Sequence, residues 1–234
     1  MIRVPPSNQT AVAGTDARFT CQVSERRDID YVFWKKVTVD GFTDVISYNL
    51  NLLNTSKYAI EGDFTLQVRN VHVQDEAWYE CQAGVDRARA HLAVEVMAAN
   101  MTLVGSPEPP FKKGAFVNIT CSAYHSRPPV HIRWYHGRSD ITSLAAHSCS
   151  QIYGPEGFSD TTSMLTITVT DDRHSIRCVA SLPGTNISRT EFWNPLIDFE
   201  TSDATRSSRY SSLLGMSVSA ICVLVYVVTW SDVQ

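Results

Sequence analysis

Residues 73–81 read VQDEAWYEC, and the spacing inside this stretch decides the fold. Tyr79 and Cys81 are two apart, so on a strand both side chains point to one face. Asp75, six before the cysteine, falls where a turn would deliver the chain into that strand. Working outward, Cys21 lies 60 residues before Cys81, and Trp34 follows Cys21 by 13. The same order recurs as Cys121, Trp134 and Cys178, with 13 and 57 residues as the corresponding intervals. Two long cysteine spacings in series suggest one disulfide in each half of the chain. An indole packed on each would pin two sheets together as a sandwich. Tyr79 then holds the tyrosine-corner position, where its hydroxyl is expected to bond back to the turn at the edge of the core. Asp75 in that turn is expected to form a structural ion pair with Lys57.

The rest of the chain fits an all-β reading. ARFTCQV (17–23) alternates, as do TLQVRNV (65–71) and ARAHLAVEV (88–96), and period two marks half-buried antiparallel strands. Gly14, Asp40-Gly41, Gly62-Asp63 and Gly84 mark turns. The second half repeats the plan with FVNITCSA (116–123), HIRWYHG (131–137), MLTITV (164–169) and SIRCVAS (175–181), a tandem repeat of one domain type. The expected organisation is a first domain at 1–97, a second at 98–196, a stalk at 197–211, a hydrophobic segment at 212–230 and a short tail at 231–234.

Composition excludes several function classes. A net charge of −4 and a pI near 5.9 argue against a phosphate-binding surface, so no nucleic-acid partner is expected. No C-x-x-C pair, H-E-x-x-H, G-x-S-x-G or phosphate loop occurs. His125, His131, His136 and His147 lie near Cys149, but His131 and His136 differ by five and would face opposite ways on one strand. No metal, cofactor, small-molecule substrate or catalysis is therefore expected. Cys149 is left over from the two pairs, either as a free thiol or in an intermolecular disulfide. Cys222 lies in the hydrophobic segment.

Compartment follows from five N-x-[ST] triplets at Asn8, Asn54, Asn100, Asn118 and Asn186. Nine asparagines at the observed Ser and Thr frequency, 44 of 234 residues, would give fewer than two by chance. Passage through the secretory pathway and glycosylation at these sites are expected. The N-terminal residues show no apolar leader, and the expectation is that a leader is missing from this chain. Residues 212–230, SLLGMSVSAICVLVYVVTW, carry no charge and are long enough to span a bilayer. Arg206 and Arg209 before it, with no Lys or Arg after it, run against the positive-inside tendency. Ser202-Asp203-Ala204 with the spacer and tail that follow reads as a lipid-anchor signal. The polar ending SDVQ counts against that signal, so the spanning helix is preferred. Either way the chain is held at the plasma membrane with its domains outside.

Here a family resemblance becomes specific. Across residues 1–195 the chain resembles immunoglobulin-superfamily proteins. KYAIEGDFTLQVRNVHVQDEAWYECQAG, PPSNQTAVAGTDARFTC and FVNITCSAYHSRPPVHIRWYHG resemble the irregular-chiasm and nephrin-like (kin of irre) group of adhesion proteins. The chain departs from that group in carrying Phe33 before the first tryptophan, where Gln is frequent, and in having two domains. Ile176 also stands where a second-domain tyrosine corner would need Tyr. The resemblance implies cell–cell adhesion or recognition through first domains docking face to face, in trans.

Period-two bookkeeping supplies the expected contact. If Trp34 and Cys81 point inward, then Tyr31, Phe33 and Lys35 point out from one strand. Trp78, Glu80 and Gln82 point out from its neighbour, and Arg89 and His91 from the next. Aromatics ringed by charge are the anatomy of a protein-binding surface, so Tyr31, Phe33, Trp78, Glu80, Gln82 and His91 are the candidate partner-binding residues. The hairpin VTVDGFTDVISYN (37–49) is the feature that would cover them. None of the sequons lies on these three strands. The corresponding second-domain face, with His131, Arg133, Tyr135, Ser175 and Arg177, reads as solvated. The expected partner is an immunoglobulin-superfamily protein, possibly this chain itself. The alternative is an immune-type receptor that binds a soluble or pathogen-derived ligand.

Overall fold

The computed structural model describes residues 1–24, 31–38, 40–146, 148–170, 175–194 and 197–198. His147, nearly all of the expected stalk, the hydrophobic run 212–230, Cys222 and the tail lie outside them. The described residues build two β-sandwiches in tandem.

In the first sandwich a six-stranded sheet runs in the order Gln9–Val12, Asp86–Glu95, Ala77–Ala83, Val32–Val37, Thr43–Tyr48, Asn51–Leu52. Its first pair is parallel and the other pairs are antiparallel. The opposing sheet is Ala17–Phe19, Thr65–Val68 and Tyr58–Glu61. Alternation carries the core. Phe19, Trp34, Leu66, Val68, Tyr79, Cys81, Ala90 and Leu92 have essentially no exposed surface. The alternating run 17–23 breaks after Phe19 and resumes at Gln22–Val23, which pairs with Ile2–Val4.

The second sandwich pairs Asn100–Ser106, Phe116–Ser126, Phe158–Thr168 and Cys149–Tyr153 against Ser139–Asp140, His131–His136, Ile176–Ser181 and Ser188–Trp193. Disulfides join Cys21 to Cys81 and Cys121 to Cys178, with Cα–Cα separations of 6.4 and 6.5 Å. Trp34 directly opposes Cys81 in the strand register, and Trp134 opposes Cys178. The buried indole N–H groups find acceptors, Trp34 at the Phe64 carbonyl (2.9 Å) and Trp134 at Ser163 Oγ (3.0 Å). An indole N–H left unpaired there would cost roughly 1–3 kcal/mol.

The apolar core divides between Val94, the last residue of the first cluster, and Ala98, the first of the second. The junction is tied as well as packed. Val96 and Arg127 exchange backbone hydrogen bonds, and the Arg127 guanidinium reaches back to Glu76 at 2.7 Å.

Candidate protein interface

The stretch 73–81 turns through a short 3-10 segment, Val73–Asp75, and enters the Ala77–Ala83 strand. Tyr79 donates its hydroxyl proton to the Asp75 carbonyl at 3.0 Å and stacks on Phe19 at 4.8 Å between centroids. The Asp75 carboxylate, buried, accepts from the His72 N–H and from Lys57 Nζ. Burial, together with the Asp75 charge, pushes the Tyr58 hydroxyl up to about 12, and burial raises Tyr79 as well. Two neutral phenols and a paired carboxylate thus close the end of the sandwich.

This clasp fixes the register of the strand whose other face looks outward. Three cross-strand rows result. His91, Trp78, Val37 and Thr43 form the first; Arg89, Glu80, Lys35 and Val45 the second; Arg87, Gln82, Phe33 and Tyr48 the third. Trp78 is 43% exposed and meets the His91 ring edge-on at 5.2 Å. At the other end, Phe33 lies between Tyr31 and Tyr48, 5.1 Å from each. Charge occupies the middle. Arg89 Nε bonds Glu80 Oε2 at 2.6 Å, Lys35 Nζ bonds Gln82 Oε1 at 2.7 Å, and Lys35 also lies 5.5 Å over the Phe33 ring. The face is therefore an ionic row between two aromatic ends.

Several expectations change here. Glu80 does point to the outer face, yet it is only 3% exposed, because Arg89 and Lys35 fold over its carboxylate. Its carboxylate therefore lies beneath the two cations. Tyr31, Phe33, Gln82 and His91 are half-buried, and Gln82 Nε2 is tied to the Gly84 carbonyl. The hairpin at 37–49 adds a strand to the sheet instead of folding across it. It thereby brings Val45 and Tyr48, 42% and 46% exposed, onto the face beside Phe33. Tyr48 was not among the candidate residues; its signal in the sequence is an aromatic on a strand adjacent to Phe33.

The five sequon asparagines are all exposed. Asn8 sits nearer the face than its place in the chain suggests: its Oδ1 accepts the His91 N–H at 2.8 Å, at the sheet edge. In the second domain Arg177 stacks on Tyr135 at 4.5 Å, and Ile176 is buried without a tyrosine corner. His125 stacks on Phe158 at 3.8 Å and bonds Tyr153. Among the described residues no group of His, Cys, Asp and Glu is gathered as a metal site would require. Cys149 is disulfide-bonded rather than a free thiol. No helix among the described residues is long and apolar enough to cross a membrane.

The immunoglobulin-domain family model matches residues 1–84, and the model for a CD80-like C2-set immunoglobulin domain matches residues 102–188. The chain belongs to the immunoglobulin superfamily. Within that superfamily it is similar to the Kin of IRRE-like group. Mouse Kin of IRRE-like protein 2 is 28% identical over 184 residues, covering 75% of this chain and 25% of its own length. Human Kin of IRRE-like protein 3 is 30% identical over 151 residues, covering 61% of this chain and 18% of its own length. Human nephrin is 25% identical over 148 residues, covering 62% of this chain and 12% of its own length. The chain thus spans a quarter or less of each of these relatives. Among solved structures, the first two domains of Rst superpose with a TM-score of 0.65 at 19% identity, over 85% of this chain and 99% of that one. The three-domain ectodomain of mouse nectin-like molecule 4 gives 0.66 at 19% identity, over 82% of this chain and 66% of that one. At such identities the superpositions speak to the immunoglobulin fold alone.

Proposed function

We propose that this immunoglobulin-superfamily chain is a cell-surface adhesion or recognition protein. It binds another immunoglobulin-superfamily protein, or a second copy of itself, in trans through the outer sheet of its first domain. The observation that carries the reading is the three-row face, with exposed Trp78 at one end and the Tyr48–Phe33–Tyr31 cluster at the other. Aromatic anchors around a satisfied ionic centre are what weak, specific protein docking uses. The likeness to Kin of IRRE-like proteins and nephrin supports the same reading. The hydrophobic run 212–230 holds the chain at the plasma membrane, where clustering turns weak single contacts into avidity. The mechanism is binding without chemistry.

Beads coated with the purified chain test it. Wild type is expected to clump, and Trp78→Ala with Tyr48→Ala to abolish clumping while the fold persists by circular dichroism. Absence of clumping by wild type would remove the self-binding form and leave a different partner. Clumping that survives the double substitution would remove this face.

A further inference from the structure

The second domain carries an exposed apolar group that its own packing does not explain. Phe116 is 74% exposed on the outer face of the sheet Asn100–Ser106, Phe116–Ser126, Phe158–Thr168 and Cys149–Tyr153. Val104 and Met164, on the flanking strands, are 60% and 42% exposed. Both oppose Thr120 in the register. A lone exposed ring is ordinary in itself; what sets Phe116 apart is its neighbours on the strand.

The strand itself names a cover. Phe116, Asn118 and Thr120 fall at alternate positions of F-V-N-I-T, so the ring, the sequon asparagine and the sequon threonine share one face. Two residues of strand separate Phe116 from Asn118 by about 7 Å, the width of a pyranose ring lying along the strand. Thr166 Oγ1 donates to Asn118 Oδ1 at 2.7 Å, which turns the amide nitrogen, the atom that takes the sugar, away from Thr166. The residues two before the other sequon asparagines are Pro6, Leu52, Ala98 and Gly184, so only Asn118 has an aromatic there.

We propose that Asn118 carries an N-linked glycan whose first N-acetylglucosamine lies on the Phe116 ring, with its apolar C–H face against the π-system. The sugar comes from a lipid-pyrophosphate-linked oligosaccharide in the secretory pathway. Asn118 Nδ2 loses a proton and forms the bond to the sugar C1 as the C1–O bond to the pyrophosphate breaks. The outer face of this sheet is then a sugar-covered wall. The glycan contributes to the stability of the second domain because it removes Phe116 from water.

The full chain, expressed behind a secretion leader in a eukaryotic host and extracted in mild detergent, allows the test. Glycopeptide mass spectrometry should find Asn118 occupied. Phe116→Ala should lower the second domain's Tm by about 4 °C. In a Thr120→Ala background, which removes the sequon but keeps Asn118, the same substitution should change it by less than about 1 °C. Amidase release of the glycan from folded wild type gives an independent readout: Tm should fall, and should fall less for Phe116→Ala. An unoccupied Asn118, or equal Phe116→Ala shifts with and without the sequon, would overturn the proposal.

Discussion

Glu76 of the first domain and Arg127 of the second meet at 2.7 Å across the junction, each side chain about a quarter exposed. Burial alone would raise the Glu76 pKa. The Arg127 hydrogen bond, the Val94 N–H at 3.0 Å and the guanidinium charge outweigh it, and the carboxyl lies below its ordinary 4.5. A carboxyl lowered in the folded state stabilises above its unfolded pKa and loses that contribution as pH falls through the lowered value. The coupling between domains should therefore hold at neutral pH and weaken below about pH 4.5. A double-mutant cycle with Glu76→Gln and Arg127→Ala, read by thermal unfolding, should give about 1 kcal/mol at pH 7 and less at pH 3.5. Strict additivity at pH 7 would show that the pair contributes nothing to the docking of the domains.

Trp78 and Glu80 are two apart on one outward face, yet they should respond oppositely to truncation. Trp78→Ala removes an exposed ring and should change unfolding stability by no more than about 0.5 kcal/mol, while abolishing bead clumping. Glu80→Ala uncovers the Lys35 and Arg89 charges and should cost about 1–2 kcal/mol, with clumping weakened only as far as the fold is. Urea titrations alongside the bead assay separate the two. A stable Glu80→Ala protein with lost clumping would make Glu80 a contact after all.

At the clasp, Tyr79→Phe keeps the stack on Phe19 and deletes one hydrogen bond to the Asp75 carbonyl. The buried acceptor is left short, and the expected loss is about 1–2 kcal/mol, measurable as a lower urea midpoint at unchanged slope. Lys57→Met should cost about 2 kcal/mol, because it leaves the buried Asp75 carboxylate with the His72 N–H as its remaining donor among the described residues. A smaller loss for Lys57→Met than for Tyr79→Phe would mean that the ion pair is incidental.

Alkaline stability should report on Tyr58. Its hydroxyl is held up to about 12 by burial and by Asp75, against an ordinary 10.0. A group raised in the folded state stabilises below its unfolded pKa and loses that contribution as pH rises to the folded value. The urea midpoint should thus fall between pH 10 and 12, and Tyr58→Phe should flatten that fall. An identical decline in wild type and Tyr58→Phe would assign the alkaline loss elsewhere.

The sandwich was legible because alternation and the Cys–Trp–Cys order are local statements about which way a side chain points. Exposure is not local. Glu80 alternates outward like Trp78, and only the reach of Arg89 and Lys35 from neighbouring strands buries it. Tyr48 was hidden for a different reason. The pairing of Val32–Val37 with Thr43–Tyr48 shifts register between Trp34 and Lys35, so counting by twos through the hairpin loses phase. Arg127 gave no signal at all, since its partner Glu76 is 51 residues away in the other domain.

The Cys21–Cys81 and Cys121–Cys178 disulfides also set how far this chain can be drawn out. A pull applied between residues 1 and 194 cannot extend the 60-residue interval from Cys21 to Cys81 or the 57-residue interval from Cys121 to Cys178. At roughly 3.5 Å per residue, each interval withholds about 200 Å of contour length. The slack left to yield lies in the 20 residues before Cys21, the 39 between Cys81 and Cys121, and the strand after Cys178. Under load each sandwich therefore keeps a knot that force cannot pull open, and any lengthening is confined to the segments outside the two closed intervals.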